Sequence, residues 1–445
     1  MTQEGKSARD DRYGISRILQ RRAHDRIPGG CHTYAKGDDQ YPLMSPGFIA
    51  RGKGCRVWDV DGNEFIELAM GLRSVVLGHA FPEVTSGVRE ALDLGSNFNR
   101  PAPIEVDCAE ALLQIVKCAD MVKFAKNGSD VTTAAVKLAR AATGRDMVGI
   151  CSDQPFFSVD DWFIGTTAMG AGIPKGIREL TVSFRYNDLD SIRSIFREFQ
   201  GRIAALVLEP ATTEEPAPGF LPGVRRICDE EGALLIFDEM ITGFRWALGG
   251  AQCLYGVEPD LSTFGKALAN GFSVSALLGR REIMEMGGLR HEGERVFLLS
   301  TTHGGETHAL AAALATIRVY EREGVIGVLH RQGQRLRLAV EQVIDHRRLD
   351  GFFQVLGRES NLVFATRDQN GERSQVFRAL FMQELLRRGV IAPSFVVSFS
   401  HDDSAIDEIV EAVDGALEVY AQALDEGPER FLVGDPVKPV FRRFN

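Results

Sequence analysis

Between about residues 105 and 330 the chain alternates two kinds of segment. Short apolar runs lie at 121–125, 147–151, 180–184, 204–208, 234–237, 262–264 and 275–278, several of them almost unbroken. Between them, apolar residues recur at helical spacing over about 105–118, 130–143, 187–199, 222–231 and 306–322. Apolar runs without polar alternation predict strands covered on both faces. Strands alternating with helices predict a mostly parallel α/β sheet. The flanks read differently. Residues 14–26 predict a short amphipathic helix with Ile15, Ile18 and Leu19 on one face, ended by Pro28-Gly29-Gly30. Residues 48–69 predict a β-hairpin, with Asp61-Gly62 in a tight turn. Beyond about 330, helices are expected over 332–346, 373–388 and 404–424, and strands over 354–356 and 362–364.

This order predicts an organisation. Residues 1–75 and 331–425 form a smaller α+β domain built from both termini. Residues 76–330 form the large domain around the sheet. Residues 426–445, punctuated by Gly427-Pro428, Gly434-Asp435-Pro436 and Lys438-Pro439, form an extended tail.

Composition narrows the function classes. The chain has 445 residues, 44% hydrophobic and 25% charged, as an ordinary globular protein does. A net charge of −10 argues against nucleic acid or an anionic membrane as partner. No apolar run approaches the ~20 residues that span a bilayer. The charged N-terminus has no apolar core of a secretory signal. The seven cysteines, irregularly spaced and without a Cys-x-x-Cys pair, suit reduced thiols in the cytoplasm. No metal site is expected.

The chemistry starts from two residues. Asp238 ends the apolar run Ala233-Leu234-Leu235-Ile236-Phe237. Lys266 follows in Ser262-Thr263-Phe264-Gly265-Lys266-Ala267. In an open α/β sheet, the C-terminal ends of strands face the ligand crevice. A carboxylate there, followed by a lysine in a small-residue loop, is the minimum equipment for pyridoxal-phosphate chemistry. The amine forms a Schiff base with the cofactor aldehyde. The carboxylate keeps the pyridine nitrogen protonated, so that the ring acts as an electron sink. Each residue alone also reads as a surface charge. Asn127-Gly128-Ser129-Asp130 comes after one apolar run and opens a helix, which makes either a phosphate cradle or an ordinary N-cap. The turn Ser300-Thr301-Thr302-His303-Gly304-Gly305-Glu306 offers the same two possibilities.

Together these segments resemble the class III aminotransferases among the fold-type I pyridoxal-phosphate enzymes, most closely their glutamate-1-semialdehyde aminomutase branch. The resemblance runs from about residue 28 to about residue 415. It rests on Pro28-Gly29-Gly30, the run 57–63, Gly78-His79-Ala80, Glu209-Pro210, the run 237–245, Ser262 to Lys266 and Ala392-Pro393-Ser394. It implies a fold-type I architecture, pyridoxal 5'-phosphate as cofactor and a site shared across a homodimer. Lys266 would carry the Schiff base and shuttle a proton. Asp238 would pair with the ring nitrogen, and Met240 would pack on one ring face. Asn127, Gly128 and Ser129 would take the phosphate, with Thr302 reaching the phosphate of the neighbouring subunit. Glu209 would sit at the cofactor's edge and Phe156 would stack on its ring. A buried lysine amine is also expected to lose proton affinity.

Departures from the branch concern the substrate. Pro155-Phe156-Phe157-Ser158 stands where relatives place a Tyr-His-Gly run. Lys36 replaces the arginine that clamps a carboxylate, and a lysine is a point charge rather than a fork. Leu72 replaces an aromatic, with Arg73 beside it, and Phe395-Val396-Val397 stands where the aminomutase has an acid. Lys36, Arg73 and Tyr34 are the substrate candidates, with Arg245 a further candidate for an anion. These changes favour transfer of an amino group between an amino-acid donor and a small carbonyl compound, through a pyridoxamine intermediate. The alternative is an intramolecular 2,1-amino shift. A non-catalytic protein on this fold is a third possibility, opposed by the intact Lys266 and Asp238.

Overall fold

The computed structural model describes residues 11–154 and 156–444. The first part of the charged N-terminal stretch, and Pro155, lie outside the described residues. In chain order the strands are β1 Ile49–Lys53, β2 Arg56–Asp59, β3 Glu64–Glu67, β4 Met121–Ala125, β5 Met147–Cys151, β6 Thr181–Phe184, β7 Ile203–Leu208, β8 Leu234–Asp238, β9 Leu261–Phe264, β10 Ser275–Gly279, β11 Phe353–Leu356, β12 Val363–Thr366 and β13 Val390–Ile391. The chain divides into two compact units. One comprises Met1–Met70, Gly78–Ala80 and Leu329–Val440; the other comprises Gly71–Leu77, Phe81–Val328 and Phe441–Asn445.

The second unit is built on a seven-stranded sheet in the order β4-β10-β9-β8-β7-β5-β6. Strands β6, β5, β7, β8 and β9 are parallel, and β10 runs antiparallel to both β9 and β4. Hence β4 points the same way as the parallel set. The unbroken apolar runs follow from burial on both faces. Val148, Ile150, Ala205, Val207 and Ile236 join one core, with Val131, Ala134 and Leu138 of the helix Gly128–Thr143. Met147, Cys151, Leu206, Leu208, Leu235 and Phe237 join another, with helices Leu189–Glu198 and Phe220–Glu231. Neighbouring residues of a strand point to opposite faces, so both parities must be apolar.

The first unit has a four-stranded sheet, β1-β2-β3-β13, and the hairpin β11-β12. The predicted hairpin over 48–69 is a three-stranded antiparallel meander, because Gly54-Cys55 turns the chain once before Asp61-Gly62 turns it again. Helices Gln375–Arg387 and Asp403–Glu426 close a core that includes Phe353, Phe364, Phe381, Phe395 and Tyr420. All seven cysteines carry free thiols. Among the described residues, no helix is long and apolar enough to cross a membrane.

Candidate active site

Six strands of the large sheet point the same way, and the C-terminal ends of five of them carry the predicted residues. Asn127 to Ser129 follow β4, Phe156 follows β5, Glu209 follows β7, Asp238 ends β8, and Lys266 follows β9 after one glycine. Adjacent strands lie about 4.8 Å apart. Glu209, Asp238 and Lys266 therefore leave three neighbouring strands side by side. By strand parity, Asp238 faces the same side as Ile236, where the helix Gly128–Thr143 packs.

Asp238 is 2% exposed. Its Oδ1 accepts the Met240 N–H at 2.9 Å and the Thr263 hydroxyl at 3.3 Å. Burial pushes its pKa up to about 6, against the pull of the Lys266 amine and those two donors. Glu209 is buried too, and its peptide is clipped by Gln154, which donates to the Glu209 carbonyl at 2.6 Å and accepts its N–H at 2.7 Å. Burial first, then the Asp238 charge, push Glu209 up to about 8, while Lys266 and Arg73 pull it down. Lys266 is half-buried on a left-handed backbone, φ 44°. That conformation is costly for a residue with a Cβ and marks functional sites more than ordinary turns. Burial lowers its amine's pKa, with Glu209 and Asp238 opposing and Arg73 and Arg245 adding to the fall. Among the described residues, its Nζ makes no hydrogen bond or ion pair.

Around this centre the backbone is tightly fitted. Met240 lies between two glycines: a Cβ on Gly128 would come within 3.1 Å of its sulfur, and one on Gly265 within 2.7 Å. The Asp130 carboxylate takes up the N–H groups of Lys126 and Asn127 at 3.3 and 2.9 Å, and leaves those of Gly128 and Ser129. The Ser129 hydroxyl accepts the Val159 N–H at 3.0 Å. Glu239 lies fully buried behind Asp238. It accepts the Thr242 hydroxyl and the N–H groups of Ala251 and Gln252, and burial pushes it up to about 7.

Arg73 leaves a backbone run with φ between 38° and 71° from Ala69 to Arg73, four of its five residues not glycine. Its carbonyl accepts Arg245 Nη2 at 2.9 Å. Burial lowers both guanidiniums, Arg245 to about 10, and Glu209 opposes the fall at Arg73. Thr302 is exposed on the loop before the helix Thr307–Glu323, where its carbonyl accepts the Asn97 amide at 3.0 Å. Glu306 on the same loop pairs with Lys126 at 2.5 Å and with His303 at 3.1 Å. Tyr34 and Lys36 belong to the other unit, both exposed on the one-turn segment Tyr34–Lys36. Sequence reasoning gave no role to Gln154, Thr263 or Glu239. Glu239 adjoins Asp238 and Thr263 lies in the Ser262-to-Lys266 stretch, which are usable signals; Gln154 carries none, because it acts only by hydrogen bonds across the sheet.

The class-III aminotransferase profile matches residues 34–416. The chain belongs to the class III aminotransferases. A glutamate-1-semialdehyde 2,1-aminomutase of Syntrophomonas wolfei is 34% identical over 423 residues, 89% of the aminotransferase and 96% of that relative. The FumI protein of Sphingopyxis sp. MTA144, solved in its PLP internal aldimine form, superposes with a TM-score of 0.84 at 27% identity, over 94% of this chain and 99% of that one. An omega-transaminase from Sphaerobacter thermophilus superposes with a TM-score of 0.82 at 26% identity, over 92% and 98%. The family depends on pyridoxal phosphate. The aminotransferase's own residues fit that group. A carboxylate with one oxygen engaged, an amine without a partner among the described residues, and a helix start with uncommitted N–H groups match its ring nitrogen, aldehyde and phosphate.

Proposed function

We propose that the aminotransferase moves an amino group from an amino-acid donor to a small carbonyl compound, in a centre built on Lys266 and Asp238. One observation carries the proposal: a half-buried amine of lowered proton affinity shares an electrostatic neighbourhood with a buried carboxylate at the ends of adjacent parallel strands. When bound, pyridoxal phosphate supplies an aldehyde that condenses with amines and a ring that withdraws electrons from the substrate's α-carbon. Asp238, held through Oδ1, would pair with the ring nitrogen and keep it protonated. Lys266 is uncharged more readily than an exposed lysine. With the cofactor bound it would take a proton from the substrate's α-carbon and later give it back, as general base and then general acid. Gly128 and Ser129 hold the phosphate with backbone N–H groups at a helix N-terminus, beside Asn127. Met240 and Phe156 would pack on the ring of the bound cofactor. Glu209, protonated more readily than an ordinary glutamate, offers a hydrogen bond at the ring's edge.

The rest of the proposal concerns partners. Thr302 completes the phosphate site of a second copy, which makes the working unit a homodimer. Arg73 serves the substrate's anionic group. The protein works in the cytoplasm. Phe395-Val396-Val397 offers no acid where the aminomutase has one, which supports release of the keto product over its retention. The second reading, a 2,1-aminomutase acting on a semialdehyde, is supported by relatives of that name at 32% to 34% identity.

The test has two parts. Purified protein given pyridoxal phosphate develops a visible absorption band that Lys266→Ala alters or abolishes, and activity falls by on the order of 10²–10⁴ from lost proton transfer alone. An unchanged band in the variant rejects the proposal. Protein loaded with the amine form of the cofactor then receives one carbonyl compound and no donor. A transaminase stops after one turnover, whereas an aminomutase keeps converting its own substrate.

A further inference from the structure

Phe441 is near the end of the chain, yet it belongs with the large sheet's unit, while Pro428 to Val440 belongs with the other. Its ring stacks on that of Phe156, with centroids 6.5 Å apart and planes 25° apart. Phe156 also meets Phe163 edge to face at 5.7 Å. Phe441 packs against the core cluster that contains Met240, Phe157, Trp162 and Phe163. The loop carrying Phe156 is stapled to the start of the helix Gly128–Thr143. Val159 N–H donates to the Ser129 hydroxyl, the Thr132 hydroxyl donates to the Phe157 carbonyl at 2.8 Å, and the Thr133 hydroxyl donates to Asp160 at 2.5 Å. The loop's backbone is therefore fixed, but the Phe156 side chain remains 43% exposed. Two rings, Phe163 and Phe441, limit where it can point, and one of them is delivered by the last residues of the chain.

We infer that Phe441 is a positioning residue: the C-terminal segment holds Phe156 in the orientation that stacks on the cofactor ring. This rests on the proposed role of Phe156. An aromatic pair placed in this way acts by removing rotamers from its partner, so the effect of Phe441 on cofactor binding must pass through Phe156.

The experiment is a double-variant cycle on the full chain, reading equilibrium binding of pyridoxal phosphate by fluorescence titration and the circular dichroism of the bound cofactor. Phe441→Ala is expected to weaken binding about two- to ten-fold, the range that one aromatic contact supplies. It is also expected to change the cofactor's dichroic band. Phe441→Tyr, which keeps the ring, restores both. Phe441→Leu, which keeps apolar bulk without the ring, stands in for the alanine variant if that one does not fold, and it is expected to behave like a loss. Combined with Phe156→Ala, Phe441→Ala adds nothing further. Losses that multiply in the double variant, or a Phe441→Ala protein that binds and absorbs as the unaltered chain does, overturn the inference and leave the proposed reaction standing. An unaltered chain that develops no cofactor band rejects both.

Discussion

Three buried carboxyl groups, Glu209, Asp238 and Glu239, stand close together with one lysine. Low-dielectric surroundings penalise each charge, and the group that yields is the one with least compensation. Glu239 has three donors and Asp238 two, whereas Glu209 rises furthest above its ordinary value. A glutamate moved from 4.5 to about 8 binds its proton more tightly in the folded chain. Its stabilising contribution is present below the ordinary value and is lost as pH rises through the folded one. In the cofactor-free protein, the melting temperature should therefore fall between pH about 5 and about 8, and Glu209→Gln should flatten that fall. Each kcal/mol recovered corresponds to about 1 °C when a chain of 445 residues unfolds as a whole. A parallel pair of melting curves against pH would show the role of Glu209 to be wrong. Lys266 and Asp238 were legible from their motif because their spacing and neighbours are local. The hydrogen bonds from Gln154 and Thr263, and the ring of Phe441, were not, because each depends on residues brought together by strand order.

Strands β4 and β5 coincide with their expected limits, and the other predicted strands of the large sheet shift by about a residue at one end, as strand ends do. Continuous apolar runs are a strong signal because both faces are buried. Two helices were harder to read. The helix Pro82–Leu94 was not anticipated, since it buries only Val84 and Val88 and offers a thin apolar stripe. The helix Val325–Arg347 begins well before the expected start at 332. Gly333 has a steric reason to be there. A Cβ on it would lie 1.9 Å from the Glu359 carbonyl oxygen, a backbone atom that cannot turn aside. Alanine gains about 1 kcal/mol over glycine inside a free helix. Overpacking costs typically about 1–3 kcal/mol and occasionally more. The clash is severe enough to win, so Gly333→Ala should lower the denaturation midpoint, and a higher midpoint would show that the helix shifts freely.

Leu92, Leu94, Phe98 and Val106 expose large apolar side chains along one stretch of the large unit. Exposed apolar side chains that join into one surface mark contact with a partner more often than with water. Together with the exposed Thr302, it supports the proposed homodimer. A hybrid tests the shared site directly. One subunit carries Lys266→Ala and the other Thr302→Ala. If Thr302 serves the neighbour's phosphate, one of the two sites in the hybrid is intact and binds the cofactor as the unaltered protein does. If Thr302 serves its own subunit, every site is defective, and titration of the hybrid shows no tight class.

The alternation of strand and helix, the Asp238–Lys266 pairing and the helix start after β4 follow from stretches of a few residues, so the chain's order of apolar, polar and small residues already determines them. The electrostatic state of that pair is another matter. It depends on how deeply Glu209 and Glu239 are buried, on which strand ends become neighbours, and on where the last residues of the chain come to rest. These are sums over groups far apart in sequence, and only folding decides which of them share one low-dielectric space.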